Sequence, residues 1–221
     1  MTTPAETMAA IVKAIHPRLK DAGFRKRRHS FNRSVESGVV QVISFQMGQK
    51  LPPGAQPIPR LRPDLYGLFT VNFGVAVEEA WLLRRRRHEV PFPDFVNDYD
   101  CDIRERLGQL LGQETDTWWE LSPDDRELAH QIGNALLEQG AGWLDPRGTR
   151  AGILRTWTEG GLAALPMPTA LPIVMILRHL DRHAEAEQAL RSYYGGITLA
   201  PHKRYVHEVA NDLGIDLPSP A

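Results

Sequence analysis

The residue types best suited to chemistry lie in the middle of the chain, where charged side chains occupy every second position from residue 98 to residue 106. The acids are Asp98, Asp100 and Asp102, and the arginines that follow them are Arg104 and Arg106. Carboxylates can bind a divalent cation or transfer protons, and two arginines on one strand face can hold an anionic group. One hypothesis is therefore an enzyme or a ligand-binding protein with an acid/arginine pocket around Asp98–Arg106.

A structural interpretation of the same stretch is also open. The alternating acids resemble the start of a calcium-binding loop. However, Ile103 stands at the sixth position, where glycine is needed, and Gln109 at the twelfth, where glutamate is needed. The two arginines can instead pair with the acids of residues 94–105 in an internal ion-pair network.

The remaining reactive side chains give little catalytic signal. Cys101, the only cysteine, lies between two aspartates that disfavour its thiolate, so we expect a buried small hydrophobic residue. His179, His183 and Glu187 have the spacing of a metal site on one helix, but a polar helix face is the simpler interpretation. Phosphate-binding glycine motifs and the G-x-S-x-G nucleophile motif do not occur, so we expect no cofactor and no metal.

Composition and charge restrict the class of partner. The 221 residues are 42% hydrophobic and 24% charged, and neither a signal peptide nor an unbroken apolar span is visible. With a single cysteine, these features predict a cytoplasmic protein without membrane contact. Residues 1–62 carry 11 basic and 3 acidic side chains, whereas residues 63–221 carry 15 and 24. Arginine runs at residues 25–28 and 84–87 could meet phosphate, but an isoelectric point near 6.7 argues against nucleic-acid binding.

The elements that must position these residues begin with a helix. Thr3, Pro4 and Glu6 form a capping box with proline at the first helical position, and apolar residues then recur at helical spacing until Gly23. Pro17 could kink this helix or end it early.

Strand patterns follow at residues 24–34, 39–47, 67–77, 101–111 and 118–121. Glu36-Ser37-Gly38 predicts a hairpin turn. Residues 67–77 alternate large apolar side chains with small ones, among them Asn72, so each class occupies one face. Residues 101–111 also match a helix, and we assign them to a strand. A strand at Trp118 and Trp119 places the two rings on opposite faces.

The second half of the chain differs in its periodicity. After Ser122-Pro123 the apolar spacing is helical throughout, whereas the proline-rich residues 48–63 can form neither a helix nor a central strand and are either mobile or a functional flap. Strands grouped before helices predict the α+β class: an N-terminal helix and antiparallel sheet, then a helical half. We assign residues 1–121 to an α+β domain and residues 122–221 to a helical region packed on it.

Several short stretches occur in a recognisable order: Gly23–Lys26 with Phe31 and Arg33, Val40–Ile43 with Phe45 and Gln46, Phe69–Val75, Ile103–Gly108, and Trp118-Trp119. Together they resemble a bacterial family catalogued as domain of unknown function 4304, over residues 5–125. The resemblance implies no assigned activity, so no catalytic residue follows from it. Its matching polar positions are Arg33, Asn72, Arg104 and Arg106.

The first hypothesis for function is a non-enzymatic binding or interaction module of the accessory or immunity-like kind, with a protein partner. Its predicted binding residues are Arg33, Asn72, Arg104, Arg106 and Trp119. Tryptophan and arginine are frequent at the centres of protein interfaces. The acid/arginine pocket remains the alternative, and the sequence leaves open whether the protein is an enzyme.

Overall fold

The structure is a computed structural model of the chain. It describes residues 2–58, 63–85, 88, 90–113, 116–122, 126–160 and 170–219. The chain forms two compact units, one of Met1–Ala76 with Pro93–Ile153 and one of Val77–Phe92 with Leu154–Ala221. A compact unit within one chain is not necessarily a domain that folds by itself. The predicted division between residues 121 and 122 therefore stays a prediction.

Helix α1 (Pro4–Asp21) starts at the predicted capping box. The Thr3 hydroxyl accepts a hydrogen bond from the backbone N–H of Glu6, and the Glu6 carboxylate accepts one from the backbone N–H of Thr3. The latter bond lowers the pKa of Glu6. The helix continues through Pro17 and ends before Gly23, whose φ is +87°. Its buried residues form a single stripe: Thr7, Met8, Ile11, Val12, Ile15 and Leu19.

The antiparallel sheet lies in the first unit. In the part of the chain that the structure describes, it has six strands: β1 (Arg25–Arg27), β2 (Ser30–Glu36), β3 (Val39–Met47), β4 (Leu68–Val77), β5 (Ile103–Arg106) and β6 (Trp119–Glu120). Strands β1 to β5 are neighbours in chain order, and β6 pairs with the start of β4. The predicted hairpin turn connects β2 to β3. With the helices that follow, this sheet confirms the α+β class.

Residues 101–111, whose pattern matches both a strand and a helix, contain one of each. Strand β5 pairs with β4 as far as Arg106 opposite Asn72, and helix α3 (Leu107–Leu110) follows at once. The strand ends there because Phe69 of β4 pairs with Trp119 of β6, which takes over as the partner of β4. The predicted strand is therefore correct for residues 103–106 and wrong for residues 101–102 and 107–111.

Helices cover one face of the sheet, which we call the helix face. In the first unit these are α1, α4 (Arg126–Ala135), a π-helical turn (Leu136–Gly140) and α5 (Ala141–Leu144). The ring of Phe31 lies 6.0 Å from that of His16 in α1, and the ring of Phe73 lies 6.2 Å from that of Trp143 in α5. The buried side chains on this face are Phe31, Ile43, Phe45, Phe69, Val71, Phe73 and Val75.

The second unit is helical. It contains α2 (Glu78–Arg85), most of α6 (Arg150–Gly160), α7 (Ala170–His179), α8 (His183–Gly195) and α9 (Ala200–Asp212). Helix α7 packs against α2 and forms an antiparallel hairpin with α8 across a turn in which Asp181 has a φ of +56°. Within the described ranges, no helix has both the length and the apolar character that crossing a membrane requires.

Two sequence features are only partly described. Residues 48–58 of the proline-rich segment contain no helix and a single isolated bridge at Ile58, as expected, and residues 59–62 lie outside the described residues. The mobile or flap role of this segment stays a prediction. Of the second arginine run, Arg86 and Arg87 also lie outside the described residues.

Candidate functional site

A loop of residues 93–102 crosses the face of the sheet opposite the helices. We call this segment the covering loop and this face the loop face. Its central anchor is Asn32 of β2, whose side chain donates to the carbonyl of Val96 (3.0 Å) and accepts from the N–H of Val96 (2.7 Å). Both residues are buried. A buried loop backbone needs hydrogen-bond partners, and the Asn32 amide supplies one donor and one acceptor.

The covering loop is held at both ends as well. At its start, Arg25 donates to the carbonyl of Asp94 (3.1 Å), and the guanidinium of Arg27 lies 5.9 Å from the ring of Phe95. At its other end, the sulfur of Cys101 lies directly over Gly74 of β4, where any side-chain carbon would overlap it. Glycine at position 74 therefore allows the loop to approach the sheet. Cys101 is buried there, which confirms the expectation for this residue.

Asn72, Asp98 and Arg104 meet on the loop face. The Asn72 amide, 2% exposed, donates to Gln46 Oε1 (2.8 Å) and to Asp98 Oδ2 (3.0 Å). Arg104 Nη2 lies 3.5 Å from the same Asp98 oxygen, and the Arg104 side chain is 49% exposed. The buried end of this cluster is thus a neutral amide whose two N–H donors both have acceptors, whereas its outer end is a guanidinium with further donors available to solvent.

Arg106 belongs to a second cluster on the same face. It forms an ion pair with Asp116, and its guanidinium lies 5.7 Å from the centre of the Trp118 ring. The indole N–H of Trp118 donates to the other Asp116 oxygen (3.0 Å). Asp116 therefore holds a cation and an aromatic ring side by side.

Glu105 separates the two arginines and projects to the opposite face. Its register partner is Phe73, a helix-face residue. Burial lowers the pKa of Arg147, and the negative charge of Glu105 partly offsets that effect. The alternation predicted for β5 is thus present: Arg104 and Arg106 share the loop face, and the acid between them serves the helix face.

Arg33 and Trp119, the other predicted binding residues, lie on the helix face. Arg33 donates to Gln41 (2.8 Å) and to the carbonyl of Ala22 at the end of α1 (3.2 Å), and it pairs with Asp145 (2.5 Å). Trp119 packs on Phe69 with ring centroids 5.7 Å apart. The bonds of Arg33 to Ala22 and Asp145 connect the sheet to its helical side, whereas Trp119 packs within the sheet. Both residues lie on the face of the sheet opposite the polar clusters.

The candidate metal ligands do not come together. His179 ends α7 and pairs with Glu79 (2.7 Å), whereas His183 begins α8 and Glu187 pairs with Arg191 (2.7 Å). Across the ranges that the structure describes, no group of three or more His, Cys, Asp or Glu side chains is placed to hold a metal ion. That statement includes the acids of the covering loop.

Sequence reasoning missed three side chains of this surface. Tyr99, next to Asp98 in the covering loop, is 70% exposed, and neither Asp116 nor Trp118 was chosen as a binding residue. The prediction that the rings of Trp118 and Trp119 lie on opposite faces was sufficient to find Trp118. Since Trp119 pairs with Phe69 on the helix face, Trp118 must face the arginines.

One comparison with known proteins gives a match. Residues 62–146 match the model of the family described as Domain of unknown function (DUF4304). This confirms the resemblance, with different bounds from those predicted: the match does not include residues 5–61, and it extends past residue 125 into α4 and α5. No curated protein and no solved structure shows significant similarity to the chain.

Proposed function

We propose that this chain is a non-enzymatic protein-interaction module that binds its partner through the loop face. The proposed binding surface, which we call the arginine surface, consists of Tyr99, Arg104, Arg106 and Trp118. The lone cysteine favours a reducing compartment, and the family is bacterial by the resemblance, so we place the interaction in a bacterial cytoplasm.

The observation that carries this proposal is the exposure of Tyr99, which follows directly in the chain on Asp98, the partner of Arg104. A tyrosine that is 70% exposed contributes nothing to the core, and Tyr, Trp and Arg are the residues that most often dominate binding energy at interfaces. Asp98 and Asp116 hold the two arginines in place. A side chain that is fixed before binding loses less conformational entropy on association, which favours affinity.

The enzyme alternative has weaker support in this geometry. A general acid or a metal ligand must have an oxygen open to substrate. Asp116 has no such oxygen, because it divides its two oxygens between Arg106 and Trp118. Asp98 holds both Asn72 and Arg104 through one oxygen, and among the described residues it belongs to no group of three or more potential metal ligands. The two aspartates therefore position Arg104 and Arg106 and do not form a reaction centre of the usual kind.

A site-specific cross-linking experiment tests the proposal. A photoreactive phenylalanine analogue is placed at position 99 and, as a matched control, at Leu199, which is also 70% exposed but lies in the second unit. We expect a discrete adduct only from position 99 in the native host. The captured protein is then purified and its affinity is measured for the unmodified chain and for variants.

Affinity measurements decide between the outcomes. Tyr99→Ala and Arg104→Glu should each weaken binding at least about tenfold, as expected for interface hot spots. Leu199→Ala should leave the affinity unchanged. Unchanged affinity in both arginine-surface variants would refute the proposal, and so would an adduct that forms equally from both positions.

A further inference from the structure

The first basic run, residues 25–28, divides between the two faces of the sheet. The arginines at its first and third positions contact the covering loop. Lys26 pairs with Phe31 and therefore lies on the helix face. The side chains of Lys26 and Arg28 form no hydrogen bond or ion pair with any of the described residues. The fold of the first unit therefore does not account for these two positive charges.

Both of these cations line one pocket. The pocket has a volume of about 570 Å³ and lies between α1 and the turn that joins β1 to β2. Lys26, Arg28 and His29 line it from the hairpin, and Ala9 and Val12 line it from the helix. This volume is within the range of small-molecule sites. The pocket thus has room for an anion and for an organic group that packs on the apolar wall.

The turn beside this pocket holds Arg28 in a backbone conformation that arginine rarely adopts. Residues 28 and 29 form a two-residue turn, and the φ of Arg28 is +54°. Glycine, asparagine or aspartate usually occupies such a position, because most side chains are sterically unfavourable there. Backbone strain of this kind is concentrated at functional sites. An arginine at position 28 is explained if its side chain binds a ligand.

We propose that this pocket binds a small molecule that carries a phosphate monoester. The pocket presents two permanent positive charges, and a phosphate monoester has a charge of about −2 at neutral pH. Its three terminal oxygens can accept from Lys26, Arg28 and His29, whereas a carboxylate has only two oxygens. This site is independent of the partner proposed for the loop face, because none of the arginine-surface residues lines the pocket.

Phenyl phosphate is the probe for the direct test. Calorimetry should show one site, and phenyl sulfate, which has the same shape but a single negative charge, should bind about fivefold more weakly. Inorganic phosphate should also bind more weakly, since it has no ring to pack on Ala9 and Val12. Equal affinity for phenyl sulfate would overturn the assignment of a dianion, and equal affinity for inorganic phosphate would overturn that of an organic ligand.

Two lysine variants separate the pocket from the general charge of this surface. Lys26→Gln removes a charge that lines the pocket and should weaken phenyl phosphate binding about fivefold. Lys20→Gln is the matched control, because Lys20 is exposed on α1 but does not line the pocket. Equal weakening in the two variants would show long-range attraction only and would overturn the proposal.

Arg28→Gly distinguishes a ligand-binding role from a structural one. Glycine adopts a positive φ without strain, so the free protein should melt at the same or a higher temperature while its affinity for phenyl phosphate falls. An arginine that serves only the turn would give the opposite result, a lower melting temperature with unchanged affinity, and that result would overturn the proposal.

The imidazole of His29 reports whether the anion occupies the pocket. Burial lowers the pKa of His29, and the positive charge of Lys26 lowers it further. Among the described residues, the other charged group that lines the pocket is Arg28, and α1 contributes Ala9 and Val12. A dianion offsets both cations, so a titration followed by NMR should give a higher pKa for His29 when phenyl phosphate is bound. A pKa of His29 that phenyl phosphate leaves unchanged would overturn the proposal.

Discussion

The two faces of the sheet are covered by different means. On the helix face, aromatic and branched side chains pack against α1 and α5, and contacts such as Phe31 with His16 need no particular hydrogen bond. On the loop face, the covering loop is held by directed bonds, of which Asn32 with Val96 is the most buried. Apolar burial is spread over area, whereas a buried hydrogen bond depends on single atoms.

This difference has a functional consequence. The helix face is not accessible to a partner, because its side chains are buried between the sheet and the helices. The covering loop instead leaves exposed residues at its outer side, among them Tyr99, while its inner side holds the sheet. Binding residues are commonly found on loops that a rigid scaffold positions, and the loop face has this arrangement.

Removing an aromatic side chain from the helix face should have the largest effect. Phe31→Ala deletes a fully buried ring and should lower the free energy of unfolding by about 4 kcal/mol. Urea titration followed by circular dichroism measures it. Phe31→Leu keeps most of the volume and should cost no more than about 1.5 kcal/mol. Similar losses in the two variants would contradict packing as the cause.

The neighbouring residue tests the loop face. Asn32→Ala leaves the N–H and carbonyl of Val96 without their partner and should cost about 3 kcal/mol. It should also release the covering loop locally, which the rate of thiol labelling at Cys101 reports. Phe31→Ala should speed labelling only as far as global unfolding does.

A control on the same strand sharpens that result. The hydroxyl of Ser34 bonds within its own hairpin, to the carbonyls of Glu36 and Val39, and not to the covering loop. Ser34→Ala should therefore leave the labelling rate of Cys101 unchanged. If Asn32→Ala and Ser34→Ala label at the same rate, the covering loop does not depend on Asn32.

The smallest effect on stability is expected at the arginine surface. Arg104→Gln removes a half-exposed ion pair with Asp98 and should change the free energy of unfolding by about 0.5 kcal/mol or less. Urea titration at low and high salt measures this change. A loss as large as that of Asn32→Ala would show that Arg104 serves the fold rather than a partner.

Much of the sheet could be predicted from local patterns. The residue types predict a strand at 39–47, and β3 has those bounds; the alternation in β4 correctly predicts that Phe73 and Asn72 lie on opposite faces. The end of β5 at Arg106 could not be predicted, because it depends on β6 pairing with β4. The same non-local pairing decides that Trp118, and not Trp119, lies beside an arginine.

The candidate site was predicted in part for the same reason. Asn72, Arg104 and Arg106 were chosen from spacing, and they share one face because side chains alternate along paired strands. Spacing cannot reveal that Arg33 joins α1 to the sheet through Ala22, since the end of a helix and a distant strand meet only in the folded chain.

The sequence by itself determined the α+β class, the capped first helix and the faces of the central strands, because period and capping are local properties of the chain. Only the tertiary structure decided which partner each polar side chain contacts. It placed the acids of the covering loop against Asn72 and Arg104, and it left the hydroxyl of Thr7 buried without a partner among the described residues. Those arrangements depend on contacts between segments far apart in sequence, and no local pattern encodes them.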